Sequence, residues 1–120
     1  MQWTPDKDRP LCPQICEHIC LKIVSGELLP DQKLMSVREM ALQTGVNPNT
    51  VQRSFEMLDR EGLLYSVPAS GWYVSSDTSL AQKTLEEIIY NKTKSYFSEM
   101  SALGLDFWAV KNYIREWENE

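Results

Sequence analysis

Apolar residues recur at helical spacing along most of the chain and at strand spacing over one short stretch. In "LCPQICEHICLKIVS", residues 11–25, Leu11, Ile15, Ile19 and Ile23 fall four apart with Val24 beside them, which is one face of a helix. Ser25-Gly26 ends it, since glycine takes the left-handed closing conformation without strain. "ELLPDQKL" then reads as a connection with Pro30 and Asp31 as turn residues. Ser36 followed three residues later by Glu39 is a capping box for a short helix. Val37, Met40 and Ala41 are its buried stripe, and Gly45 closes it. Asn47 caps the next helix, with Pro48 at the first position, where its missing N–H costs nothing. Val51, Phe55 and Leu58 turn its core face inward, and Gly62 stops it.

Two short apolar runs, "LLYSV" and "WYVS", flank "PASG" and predict a two-stranded hairpin. Ser79 with Gln82 is a second capping box, opening a long helix over roughly residues 80–103 that Gly104 ends. Asp106 caps a last helix in which Phe107, Val110, Ile114 and Trp117 alternate at three and four. "SSDTS", residues 75–79, reads as a hinge between a head, residues 1–76, and a helical tail, residues 77–120. The predicted fold is mainly α with a small β-hairpin. Helix, helix, tight turn, helix, hairpin is the order of a winged helix-turn-helix. Small Ala41, Gly45 four residues on, and inward Val51 suit the close crossing of its two central helices.

Composition changes this picture in three ways. The 120 residues are enough for one domain or a small domain with an appendage, and 42% apolar content is that of an ordinary soluble protein. No apolar run approaches the ~20 residues that span a bilayer, and "MQWTPDKDRPLCPQ" lacks the basic start and apolar stretch of a secretory signal. A cytoplasmic location without membrane contact is therefore expected, with the three cysteines held as thiols. The formal charge of -5 argues against indiscriminate polyanion binding and leaves room for locally placed cations.

"KLMSVREMALQTGVNPNTVQRSFEMLDREGLLYS…SGWYV" resembles the DNA-binding head of GntR-type bacterial transcription regulators over residues 26–74, and "PLCPQI…IVSGE" resembles the family's first helix. Larger members carry effector domains after the head. Here about 45 residues remain, similar to the YtrA subfamily, in which a short helical tail is a dimerisation arm and a transporter operon is the implied target. Leu34-Met35-Ser36 stands where the family usually has Leu-Pro-Ser. Pro68-Ala69-Ser70-Gly71 stands where its wing usually reads Arg-Gly-x-Gly, so the wing has lost its cation.

With Val51, Phe55 and Leu58 inward, Asn49, Gln52, Arg53 and Glu56 lie on the outer face of the third helix. Asn and Gln match adenine and Arg matches guanine in the major groove, so Asn49, Gln52 and Arg53 are the candidate base readers. Glu56, further along, is placed either to repel phosphates or to orient Arg53 by a hydrogen bond. Arg38 is the candidate phosphate anchor, and the resemblance implies the same of the Arg in Ser-x-Arg-Glu. Ser36, Asn47 and Thr50 sit near helix N-termini that favour anions, although Ser36 and Asn47 also serve as plain caps. Ser70 and Gly71 are the remaining wing candidates. Residues 30–76 hold four cations against five carboxylates, a net charge of -1. One head then binds double-stranded operator DNA weakly, and two heads joined as a homodimer on an inverted repeat are needed.

The tail holds more apolar surface than two helices can bury on each other. Leu85, Ile89, Tyr96, Met100, Phe107, Trp108, Val110, Ile114 and Trp117 are the candidate dimerisation residues. An aromatic pocket for a cationic or planar effector against Trp108 or Trp117 is the sharper alternative. Cys12, Cys16 and Cys20 form a second stripe on the first helix. The outer two lie about 12 Å apart at ~1.5 Å per residue, too far for one ion with ~2.3 Å metal–sulfur bonds. An ion on one adjacent pair needs ligands from elsewhere, so the stripe reads as small buried hydrophobes and no metal or cofactor is assigned. Thiol or metal gating stays an alternative, and His18 reads as an exposed helix residue. One histidine, no glycine-rich phosphate loop and no paired nucleophile and base argue against an enzyme. The expected function is a sequence-specific repressor. The competing class is a winged-helix protein-interaction module with little DNA binding.

Overall fold

The computed structural model describes residues 3–119. Five helices and one hairpin follow in the order α1 (Leu11–Val24), α2 (Val37–Thr44), α3 (Pro48–Arg60), β1 (Leu64–Val67), β2 (Gly71–Val74), α4 (Ser79–Ala102) and α5 (Phe107–Glu118). The isoleucine stripe of α1 does what its spacing predicts: Ile15, Ile19 and Ile23 are buried, joined by Cys20. Met40 and Ala41 of α2 and Val51, Phe55 and Leu58 of α3 meet that stripe, and Leu63, Leu64 and Val74 close the core from the hairpin. Phe55 meets Trp72 edge-on, with ring centroids 5.9 Å apart, fixing the hairpin against α3.

The capping predictions largely hold. Ser36 Oγ accepts the Glu39 N–H at 3.0 Å, Asn47 Oδ1 accepts the Asn49 N–H at 2.8 Å, and Asp106 Oδ1 accepts the Ala109 N–H at 2.9 Å. Gly45 closes α2 at φ 72°, a left-handed angle that a side chain rarely adopts. Ser79 does not cap α4. It is the first helical residue, and its N–H and hydroxyl both donate to Asp77 Oδ1, at 3.0 and 2.6 Å. Those two bonds hold the Asp77 carboxyl below its ordinary range.

Residues 31–34, expected to be only a connection, run along the free edge of β2. Val74 N–H donates to Gln32 O, Asp31 N–H to Val74 O, and Leu34 N–H to Trp72 O, all within 2.9 Å. Lys33 bridges to Tyr73, so the wing has a short third member. Asp31 sits at φ 62° and accepts hydrogen bonds from Tyr65 and Ser76. A four-residue edge is too short to show the alternation by which strands are recognised.

The chain divides into two units after Leu85, inside α4. The stretch "SSDTS" therefore lies within the first unit and not at its border. Ala81 is 1% exposed in the first core and Leu85 packs against that core, so Leu85, assigned to dimerisation from sequence, is occupied there. Cys20 Sγ donates to the Ala81 carbonyl at 3.2 Å. In the second unit Phe97 of α4 stacks on Phe107 of α5 at 5.6 Å. Val110 is 1% exposed within a single chain, so it too is already covered without a partner copy.

Candidate nucleic-acid interface

Helix α3 is anchored by Val51, Phe55 and Leu58, all wholly buried, which fixes the direction of the opposite row. Asn49 and Arg53 are exposed on that row and Gln52 is half-buried. Gln52 Nε2 donates to Glu56 Oε1 at 2.9 Å, so the carboxylate orients Gln52 where Arg53 was the expected partner. That bond uses one N–H of the amide, and the Gln52 oxygen with its second N–H is the pair that adenine matches.

The candidate phosphate contacts fall into two groups. Arg38 is exposed and shares a shallow depression of about 420 Å³ with Gly45, Asn47 and Pro48, at the turn between α2 and α3. Thr50 and Arg53 line another, of about 520 Å³, together with Lys7, Arg9 and Arg60. Ser36, besides capping α2, donates its hydroxyl to Glu39 Oε1 at 3.2 Å, so phosphate donation by Ser36 requires that bond to break.

Lys7 and Arg9 were not among the sequence candidates. They stand in a segment without periodicity, which folds back through Gln14. The Gln14 side chain accepts the Asp6 N–H and donates to the Asp6 and Pro10 carbonyls. Lys7 Nζ then reaches the Gly45 carbonyl at 3.4 Å, and Arg9 pairs with Asp6 at 3.0 Å. Trp3 of the same segment stacks on His18, with centroids 4.1 Å apart and planes 8° apart. His18 is thus half-buried, not the exposed residue its position suggested. Its pKa is lowered below the ordinary 6.5, first by desolvation and then by Lys22.

The wing turns at Ala69 (φ 63°) and Gly71 (φ 133°), and the Ser70 N–H donates to the Val67 carbonyl at 3.0 Å. Ser70 Oγ also hydrogen-bonds the Tyr73 hydroxyl. The arginine absent from this loop has a neighbour in its place. Lys33 Cε lies 3.4 Å from where a Cβ on Gly71 would stand, so a cation runs beside the wing from the edge segment. Nothing in the spacing of the hairpin itself signals this residue.

The second unit carries the exposed aromatics. Phe107, Trp108, Tyr113 and Trp117 are exposed, with Ile89 and Ile114, while Tyr96 is at the border of exposure and Met100 is half-buried. Lys111 Nζ lies 5.0 Å from the Trp108 ring and 5.4 Å from Phe107. The protein's own ammonium group thus makes the kind of contact with Trp108 that a cationic effector would make. Among the described residues, no helix is long and apolar enough to cross a membrane.

Two helices joined by a tight turn, supported by a third and flanked by a hairpin, define a winged helix-turn-helix, the class whose second central helix enters the DNA major groove. The sequence profile described as "Bacterial regulatory proteins, gntR family" matches residues 12–74. The chain belongs to the gntR family and is a DNA-binding transcriptional regulator, not an enzyme. It is 29% identical to the HTH-type transcriptional repressor YtrA of Bacillus subtilis (strain 168), over 97% of this chain and 90% of that one. A GntR family transcriptional regulator from Listeria monocytogenes superposes with a TM-score of 0.79 at 31% identity, covering 93% of this chain and 98% of the other. The DNA-binding domain of AraR, solved in complex with operator ORE1, matches 56% of this chain and 82% of its own at 37% identity and a TM-score of 0.54.

Proposed function

We propose that the protein is a cytoplasmic, homodimeric repressor that lays Asn49, Gln52 and Arg53 of each copy into the major groove of an inverted-repeat operator. The observation that carries this reading is the fixed outward row of α3, whose inner face is wholly buried while Gln52 is oriented by Glu56. Arg38, Asn47 and Thr50 contact phosphates on either side of that row, with Ser36 joining once its bond to Glu39 opens. The Ser70-Gly71 wing tip, with Lys33 beside it, approaches the neighbouring groove. Repressor action is supported by the likeness to YtrA, and an operator as ligand by that to the AraR complex.

Two copies are required because each head is poorly charged. Phosphate contacts supply most non-specific affinity, and their number sets the salt slope at about -0.9 per phosphate. Joining two heads doubles that number and makes the second contact intramolecular. The apolar residues of the second unit, Tyr96, Phe107, Trp108, Ile114 and Trp117 foremost, are the joining surface. Selection from a random duplex library, followed by gel shift with the enriched sequence, tests this. An enriched inverted repeat is expected, with Gln52→Ala weakening it about 5- to 150-fold at one base position of each half-site. Arg38→Ala weakens all duplexes alike. Failure to retain any duplex at low salt overturns the reading and leaves a winged-helix interaction module.

A further inference from the structure

Three sulfur atoms converge where α1 meets α3. Cys12 Sγ lies 3.4 Å from Met57 Sδ and 2.9 Å from Ser54 Oγ. Cys16 Sγ lies 3.7 Å from the Ser54 carbonyl, and the two thiols also interact with one another. Their i, i+4 spacing puts both on one helix face with Cβ atoms about 5–6 Å apart, a span that two bonds of about 2.3 Å to one ion can bridge. The extra ligand that two thiols on one helix lack is supplied from the other helix, by a thioether. Cys20 is apart from this group, its thiol turned to the Ala81 carbonyl.

The donor chemistry selects the ion. Among the described residues no three or more His, Cys, Asp or Glu are grouped to hold a metal, so the four nitrogen, sulfur or carboxylate ligands that zinc takes are not assembled. Two thiolates and a thioether are a soft set, which suits copper(I) and its analogue silver(I). We propose that Cys12, Cys16 and Met57 form a binding site for a soft monovalent cation, copper(I) or silver(I), at the α1–α3 junction. Binding breaks two S–H bonds and forms two metal–thiolate bonds. Both protons leave to solvent, no atom changes oxidation state, and the complex carries one net negative charge.

Its surroundings fit that charge. Cys12 and Met57 line the depression that also holds Lys7, Arg9, Arg53 and Arg60; Asp6 already pairs with Arg9 and Glu61 acts on Cys16, which leaves Lys7, Arg53 and Arg60 to offset the charge. Loading releases both thiol protons, so the affinity depends steeply on pH. A second consequence rests on the DNA reading proposed above. Arg53 belongs both to this lining and to the outward row of α3, so the anionic complex draws on a cation that DNA needs. Metal loading then weakens duplex binding, and duplex weakens metal binding by the same factor.

The test is an anaerobic titration of the full-length protein with copper(I) against bathocuproine disulfonate, without DNA, with native mass spectrometry for stoichiometry. One ion per chain is expected, with two protons released. Cys12→Ser and Cys16→Ser lower the affinity by about a hundredfold or more, Met57→Leu by roughly tenfold, and Cys20→Ser leaves it unchanged. Met57→Leu conserves volume and keeps the decision open should a serine variant fail to fold. Complete loss of the ion to the chelator, parent-like affinity in Met57→Leu, or a Cys20→Ser loss matching the others overturns the site. None of these outcomes bears on duplex binding, which gel shift reads separately.

Discussion

The first unit and the second bury their apolar side chains to very different extents. The first draws on α1, α2, α3, the hairpin and the start of α4, and its largest side chains, Phe55, Ile15, Ile19 and Leu58, are sealed from water. The second has Val110 buried and leaves Trp108 at 68% and Trp117 at 75% exposure. A surface with that many large aromatics marks an interaction site more often than a finished exterior. Sequestered apolar area stabilises the first unit within one chain, whereas the second has its apolar area available for association. In the function proposed above, the outward row of α3 depends on the first kind of stability and the doubling of contacts depends on the second.

Substitutions that strike one kind and spare the other separate the two units most sharply. Phe55→Ala removes a wholly buried ring that also seats Trp72, and is expected to destabilise the protein by about 3–5 kcal/mol. Chemical denaturation measures this, and duplex affinity falls with the folded fraction. Trp108→Ala with Trp117→Ala is expected to leave the denaturation midpoint of dilute protein nearly unchanged while weakening self-association by about 2 kcal/mol or more per anchor. Sedimentation equilibrium against concentration reads the second effect. A dimer that survives both changes contradicts the assignment of the second unit as joining surface.

Much of the fold was legible because long helices announce themselves through periodicity and caps. Ile15, Ile19 and Ile23, the Gly45 closure and the Asn47 and Asp106 caps could be read directly, since each is a local signal. What escaped reading is non-local or too short. The edge formed by residues 31–34 becomes visible only when β2 is beside it, and Lys33 gains its meaning from Gly71, far along the sequence. Lys7 and Arg9 lie in an aperiodic segment that one glutamine folds back. The outward row of α3 was legible because helix geometry fixes it once the core face is known. The partner of Glu56 was not, because Gln52 and Arg53 are both within a turn of it.

A smaller effect sharpens the comparison through the caps, one at α3 and one in the second unit. Asn47→Ala removes the acceptor for the Asn49 N–H and is expected to cost about 1 kcal/mol. Asp106→Ala removes the matching bond at α5, with a similar intrinsic cost. The consequences differ by place. The first is expected to appear in the denaturation midpoint of dilute protein, the second mainly in self-association, because the second unit has little buried surface to couple a loosened helix start to global unfolding. Equal shifts of the midpoint in both variants argue that the two units unfold as one.

The smallest effect is a pH dependence confined to the first unit, since the only histidine of the chain is His18. Its folded pKa is depressed below 6.5, mainly because stacking and burial exclude water and secondarily because Lys22 is near. A base whose folded pKa is depressed favours the folded state in its neutral form. The stability it contributes is therefore present above the unfolded value and is lost as pH falls below about 6.5 toward the folded one. An NMR titration of the imidazole should give a midpoint below 6.5. Trp3→Ala exposes the ring but leaves Lys22 in place, so it should raise that midpoint without fully restoring the unfolded value. A midpoint in the parent at or above 6.5 contradicts the desolvated stack, and one that Trp3→Ala leaves unmoved assigns the depression to Lys22 instead.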